Sequence, residues 1–314
     1  MRELDLLSHI EQRSKDILAR FDHVMTGPGD DCAVVRSPSG DAMLLTVDHL
    51  VEGRHVPPLT STPSLDALDA IARKAIARSL SDIAAMGGRP LAALATACFP
   101  PNFAHEHAQR LADSLHRAGE RFGCPIVGGD VATFPDAHAG PLVITTTLLG
   151  AAHHAGPILR STARPGDAVY VTGTIGGAVT SGRHMTFQPR LAEARELSEA
   201  LWGWRPTAMI DISDGLGMDA ARIGRASHVK IVLDAKRIPL SPGVTDWRHA
   251  VAEGEDYELL FTAAPDARIA DRLGQTPVMR IGRVEPPDNA PGCIIKDTDG
   301  REYNAAKAGF AHGG

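Results

Sequence analysis

Closely spaced cysteine pairs are missing from this chain. Its four cysteines, Cys32, Cys98, Cys124 and Cys293, form no CxxC unit. Three of them lie in apolar, strand-like runs, which predicts buried free thiols in a reducing compartment rather than a disulfide framework. A basic run is missing too. The net charge is -6 and the pI about 6.1, so there is no electrostatic case for nucleic acid or an anionic membrane as partner. A phosphate substrate stays open, because metal ions can supply positive charge locally. No apolar stretch is long enough to span a bilayer. The segment Met1-Arg2-Glu3-Leu4-Asp5 is polar and has no signal-peptide core, so a cytoplasmic location is expected. Two common nucleotide signatures, the GxxxxGK[ST] loop and a convincing GxGxxG after a strand, are also absent. Gly173-Thr174-Ile175-Gly176-Gly177 is glycine-rich, but its spacing fits neither. The fourteen histidines show no HExxH spacing.

What is present suits two α/β domains: 314 residues, 43% hydrophobic and 22% charged, more than one typical core accommodates. Leu6–Phe21 reads as an amphipathic helix. Cys32–Arg36 and Ala42–Leu50 read as strands joined by the Ser37–Asp41 turn. Thr62-Pro63 is expected to open a long helix, with Thr62 as its cap, that ends at Gly87-Gly88. Strand Leu91–Phe99, helix Phe103–Phe122, short strand Pro125–Val127 and strand Leu142–Leu149 follow, giving an α+β unit over residues 1–150. A second unit, 151–314, is expected to contain strands Ala168–Thr172, Met209–Ile212, Lys230–Leu233, Asp256–Thr262 and Val278–Val284. Its expected helices are Leu191–Trp202, Gly215–Ala226 and Ile269–Leu273, and a hairpin is expected at Asp299-Gly300.

Acidic residues recur at the ends of apolar runs. Gly27-Pro28-Gly29-Asp30-Asp31 is a tight turn whose adjacent carboxylates enter a strand; either Asp31 is a turn-forming residue, or the arrangement is expensive unless a cation is present. Asp48 closes the apolar run Leu44–Val47; either it forms a strand-exit turn or it faces a cation. Asp82 stands near the C-terminal, negative end of a mostly apolar helix, where a carboxylate is disfavoured. Either Arg78 or Arg89 pairs with it, or a cation reaches it from outside. Gly128-Gly129-Asp130 follows a strand, as an ordinary turn or as a close approach to a ligand. In Asp211-Ile212-Ser213-Asp214-Gly215, Ser213 or Asp214 is a good helix cap, the same junction suits a phosphate, and Asp211 has no capping role. Gly254-Glu255-Asp256-Tyr257-Glu258 places three acids before a strand, as a solvated strand start would, and Arg160 is either an ordinary surface charge on a loop or a contact for phosphate. Oxygen ligands without a matching His/Cys set favour Mg²⁺ over Zn²⁺.

These pieces, in this order, resemble the thiamine-monophosphate kinases. That family belongs to the ATP-binding superfamily of aminoimidazole ribonucleotide synthetase. The resemblance is carried by Gly29–Ala33, Asp48–His55, Leu80–Gly87, Gly128–Asp130, Arg160-Ser161, Pro165–Asp167, Val171–Thr174, Asp211–Leu216 and Gly254–Leu259. It implies a first domain that pairs with its twin in a homodimer, a C-terminal α/β sandwich, and ATP in the cleft between domains. It implies Mg²⁺ on Asp31, Thr46, Asp48, Asp82, Asp130, Asp211 and Asp214. ATP would contact Gly129, Asp130, Arg160 and Ser213, and thiamine monophosphate would contact His55, Glu255 and Phe310. The implied reaction is in-line transfer of the ATP γ-phosphoryl group to a phosphate oxygen, with no general base demanded. Several positions depart from the pattern. Val47 replaces a metal-contacting Thr, His49 a small polar residue and Ser79 an Asn; Arg54 and Val56 flank His55 where a small residue and Phe are usual. Gly177 replaces an Asp, and Glu253 the first Gly of a Gly-Gly-Glu-Asp run. Two alternatives accompany them: a related ATP-dependent enzyme acting on another small substrate, or a nucleotide-binding protein without turnover.

Overall fold

In the computed structural model every residue is described except 1–5, 7–8, 11, 15–17, 61, 137–139, 200–202 and 306–314. The first half folds as β1 (Val24–Thr26), β2 (Ala33–Arg36), β3 (Ala42–Val51), α1 (Leu65–Ala85), β4 (Arg89–Phe99), α2 (His105–Arg121), β5 (Ile126–Thr133) and β6 (Val143–Ala151). The second half gives β7 (Ala168–Thr172), α3 (Leu191–Ser198), β8 (Ala208–Asp211), α4 (Leu216–Ala226), β9 (Lys230–Asp234), α5 (Trp247–Glu253), β10 (Leu259–Ala263), β11 (Arg272–Leu273), β12 (Thr276–Glu285), β13 (Gly292–Lys296) and β14 (Glu302–Asn304). Strands of the first half form a six-stranded sheet in the order β1-β2-β3-β6-β4-β5. It is antiparallel except for the β4–β5 pair. The second sheet runs β14-β13-β9-β12-β7-β10-β8, with β11 attached to β12. The chain is thus a mixed α/β protein built on two sheets.

Helix α1 is the element both sheets share. Its apolar residues and small Ala and Ser residues cover nearly the whole circumference, the pattern of a helix buried on all sides. Ile76, Leu80 and Ile83 pack with Leu44 and Leu148 of the first sheet, while Ala84 and Ala85 meet Met209 and Leu259 of the second. Each fully buried Leu or Ile there contributes about 1.5–3 kcal/mol. On the far side of the second sheet, Leu216, Ala220 and Ile223 of α4 close a separate core over Ile231, Leu233 and Ile295.

Several expectations are corrected. The cap of α1 is Ser64, whose hydroxyl accepts from the Ala67 N–H; Thr62 lies outside the helix. Gly128-Gly129-Asp130 is not a loop after a strand but the middle of β5. Residues 269–273 form no helix; Arg272-Leu273 pair with Thr276-Pro277 as a short hairpin. The strand expected from Asp256 begins at Leu259. Before it, Glu255 and Tyr257 take left-handed backbone angles, φ 58° and 53°, which break strand pairing. The helix expected at 6–21 is only partly described, with helical turns at positions 6, 9–10, 12–14 and 18. The last turn expected for α3, at 200–202, lies outside the described residues. All four cysteines are free thiols, as their spacing predicts. No described helix is long and apolar enough to cross a membrane.

Candidate active site

β3 alternates, so Leu44, Thr46, Asp48 and Leu50 point toward α1. α1 answers with Ser79, Ser81 and Asp82. The Thr46 hydroxyl donates to Asp82 Oδ2 at 2.5 Å, Ser79 Oγ lies 3.3 Å from Asp48 Oδ2, and Ser81 Oγ donates to Asp211 Oδ2 at 2.7 Å. Asp211, at the end of β8, brings in the second sheet. Asp31, at the exit of the Gly27–Asp30 turn, completes a triad: one carboxylate oxygen each of Asp31, Asp82 and Asp211 lie within 4.8 Å of one another. Burial pushes the carboxyls of Asp82 and Asp211 well above the usual range; Asp48, Asp211 and Asp31 add to it for Asp82, and Asp31 for Asp211. Three acids in one dry place are stable only if protonated or bridged by a cation. An all-oxygen donor set of this kind fits a hard divalent ion.

The fixed cation nearest the triad is Arg160. Its Nε and Nη2 donate to the two oxygens of Asp31 at 3.0 and 2.8 Å, a two-pronged carboxylate clamp. The backbone N–H of Arg160 donates to Asp30 Oδ2 at 3.1 Å.

Asp48, Asp82 and Asp211 line a cleft of about 640 Å³. Ser213 and Asp214 lie at the same end, and His55 and Glu255 also border it. Neither Ser213 nor Asp214 caps α4 as expected. The backbone N–H groups of both donate instead to Asp219 Oδ2, at 3.1 and 3.0 Å, and Arg222 holds Asp214 and Asp219 together at 2.5 Å each. Glu255 is reached by Lys74 of α1, which is 0% exposed. The Lys74 ammonium donates to Glu255 Oε2 and to the His55 carbonyl at 2.6 Å. The left-handed backbone at Glu255 and Tyr257 costs of order 1–3 kcal/mol at each residue. It is held by N–H bonds from Glu255 to Ser213 O and from Tyr257 to Ile212 O, each 2.8 Å. Of the other two acids in this loop, Asp256 pairs with Arg183 and Glu258 with Arg190, so only Glu255 faces the cleft.

Not every expected residue converges. Gly129 and Asp130 sit on edge strand β5. Gly129 pairs with Ala95, Ala95 with Thr146 and Thr146 with Asp48, which puts three strand spacings, roughly 14 Å, between β5 and Asp48. They border a different cleft, beside Leu115 and His116. Phe310 lies outside the described residues. Sequence reasoning missed Lys74, Asp219 and Arg222. A lysine in a helix usually marks its solvated face, and nothing local distinguishes this one.

The departures find places. Val47 points to the sheet face opposite Thr46 and Asp48 and is 59% exposed, so it does not border the triad. Gly177 and Glu253 meet each other: Glu253 accepts from the N–H groups of Gly177 at 2.5 Å and Val179 at 3.2 Å. Gly177 has φ +69°, and a Cβ there would come within 2.8 Å of Val244.

Residues 29–152 match the family model described as AIR synthase related protein, N-terminal domain. A thiamine-monophosphate kinase of Rhodopirellula baltica is 34% identical over 300 residues, covering 90% of this chain and 89% of its own. The solved structure described as AaThiL complexed with AMPPCP and TMP superposes with a TM-score of 0.79 at 27% identity, over 99% of both chains. Thiamine monophosphate kinase from Aquifex aeolicus gives a TM-score of 0.74 at 26% identity, over 96% of this chain and 99% of its own. With its two sheets, its shared helix and its buried carboxylates, the chain belongs to the thiamine-monophosphate kinase family.

Proposed function

We propose that this chain phosphorylates thiamine monophosphate to thiamine diphosphate with ATP. The observation that carries the reading is the convergence of Asp31, Asp82 and Asp211 beside a cleft that also offers His55 and Glu255. The likeness to a structure whose description names AMPPCP and TMP supports the same pair of ligands. An acceptor phosphate oxygen forms a bond to the γ-phosphorus. The bond from that phosphorus to the β–γ bridging oxygen breaks, and ADP leaves with the electron pair. A phosphate monoester is already a nucleophile, so no side chain has to remove a proton. What remains for the protein is to align the two anions and neutralise them.

Asp31, Asp48, Asp82, Asp211 and Asp214, with the Thr46 hydroxyl, are the residues that would hold Mg²⁺. When bound, Mg²⁺ supplies charge neutralisation for the phosphates. Arg160 and Ser213 would border the nucleotide, and Glu255 and His55 the thiamine moiety. Lys74 fixes both acceptor-side residues.

We further read residues 1–150 as the nucleotide-binding and dimerising domain and 151–314 as the domain that completes the cleft, in a cytoplasmic homodimer. Leu45, Val47, Leu94 and Leu149 support the dimer. They lie side by side on the open face of β3, β6 and β4, each between 37% and 59% exposed, and a second copy of the same face would cover them. Gly129 and Asp130, remote from the triad within one chain, would then reach a nucleotide only through that pairing.

The test is incubation with Mg-ATP and thiamine monophosphate, following thiamine diphosphate and ADP. Both products in equal amounts are expected. ADP without thiamine diphosphate would point to another acceptor, and tight ATP binding with no ADP to a chain without turnover.

A further inference from the structure

Helix α1 carries three charged residues along one face, one per turn: Arg78 and Asp82 border the cleft, and Lys74 lies buried behind it. The outer two are engaged, Lys74 by Glu255 and the His55 carbonyl, and Asp82 by Thr46 and the triad. Arg78, between them, is engaged only in part. Its Nη1 donates to the His49 carbonyl at 2.6 Å. Its Nη2 stands 3.6 Å from Asp48 Oδ1, beyond hydrogen-bond length. Its Nε is buried and has no acceptor. A guanidinium has five N–H donors in a fixed fork, and this one makes a single hydrogen bond within the described protein. The positive charge is secure. Burial disfavours it, but Tyr257, Asp48, Glu255 and Asp82 together hold the group above its ordinary range.

A buried donor left without an acceptor costs free energy, so an under-used fork facing a cleft calls for an anionic ligand with several oxygens. The cleft's own anions leave most of the fork open: Glu255 is taken by Lys74, Asp214 by Arg222, and Asp48 pairs with Arg78 only at 3.6 Å, too long for a hydrogen bond. The position is also informative. Arg78 lies one helical turn from the metal-side Asp82 and one from Lys74, which anchors the acceptor side. It stands where the two ends of the cleft meet.

We propose that Arg78 binds the phosphate of the acceptor, its free N–H groups taking two oxygens while a third stays open toward the nucleotide. This rests on the phosphotransfer reading above and adds to it the residue that distinguishes a phosphorylated acceptor from the free alcohol. Planar, two-pronged recognition of phosphate is the use to which arginine is best suited.

The experiment compares the full-length protein with Arg78→Met and Arg78→Lys. Calorimetry measures binding of thiamine monophosphate and of thiamine, and steady-state kinetics follow where turnover exists. Arg78→Met is expected to weaken thiamine monophosphate roughly ten- to a hundredfold, the worth of charge-assisted hydrogen bonds. Thiamine affinity and the KM for ATP should stay within about twofold. Arg78→Lys should recover part of the loss, because it restores the charge without the fork. An equal loss for thiamine and its monophosphate would overturn the proposal in favour of a packing role. Unchanged monophosphate affinity with a raised Mg²⁺ requirement would also overturn it, making Arg78 a counter-ion of Asp48. The binding comparison needs no turnover. A wild-type chain that forms no thiamine diphosphate would sink the phosphotransfer reading, while the affinity ratio still decides Arg78.

Discussion

At the scale of single residues, the site is an accumulation of like charge that the fold alone does not relieve. Asp211 is buried and Asp82 half-buried beside Asp31, with two serine or threonine hydroxyls for compensation. Replacing Asp82 by Asn removes one member of that crowd. The expected result is loss of phosphoryl transfer on the order of a hundredfold or more, with no fall in the melting temperature of the metal-free protein. A clear drop in that temperature would mean the carboxylate is structural. The three acids were legible in the sequence because each borders or interrupts an apolar run: Asp31 precedes one beside a second carboxylate, Asp82 interrupts one near a helix C-terminus, and Asp211 ends one with no capping role. Lys74 and Asp219 were not, because a charged residue in a helix normally announces an exposed face. What draws them inward are partners distant in sequence, Glu255 for Lys74 and the backbone N–H groups of Ser213 and Asp214 for Asp219.

At the scale of elements, alternation and helical period located ten of the fourteen described strands and the long helices, since burial on one face writes a regular pattern; the short strand β1 and the short helix α5 left no such pattern. The failures have local causes. Ile269, Ala270 and Leu273 are compatible with either period over so short a run, and the Gly274-Gln275 turn decided for a hairpin. The acidic loop before β10 was read as extended because nothing in Glu255 or Tyr257 signals a left-handed backbone; the bonds to Ser213 and Ile212 impose it. Helix α5 ends on Glu253, whose carboxylate ties down the turn after β7. Glu253→Ala should cost about 1–3 kcal/mol of unfolding free energy, measurable by urea titration, and a null effect would show that Gly177 and Val179 are satisfied otherwise. At the start of α1, Ser64→Ala should cost about 1 kcal/mol, read the same way.

At the scale of the whole molecule, charge and association become measurable. Burial, outweighing Arg183, pushes the Asp256 carboxyl from an ordinary 3.8 up to about 7. The folded chain therefore keeps a proton that the unfolded chain releases at lower pH. The stability from this group is full below the unfolded value and is lost as the pH rises through about 7. The metal-free melting temperature should fall over that interval. The increment added by Mg²⁺ should grow as the pH rises, because the triad must be ionised to bind. An increment independent of pH would argue against carboxylate ligands. Val47→Glu, on the open sheet face, should turn the proposed dimer into monomers in size-exclusion chromatography while Asp82 and its neighbours stay in place; an unchanged elution volume would remove that face from the interface. The Lys74–Glu255 bond carries a further implication. Its ammonium belongs to the first sheet's helix and its carboxylate to the second sheet's loop. Prised apart, each half would lose the partner that neutralises its charge. The pocket proposed for the acceptor is thus a property of the seam: neither fragment, expressed singly, should recognise thiamine monophosphate, and the docked pair is the smallest unit on which selection for that recognition can act.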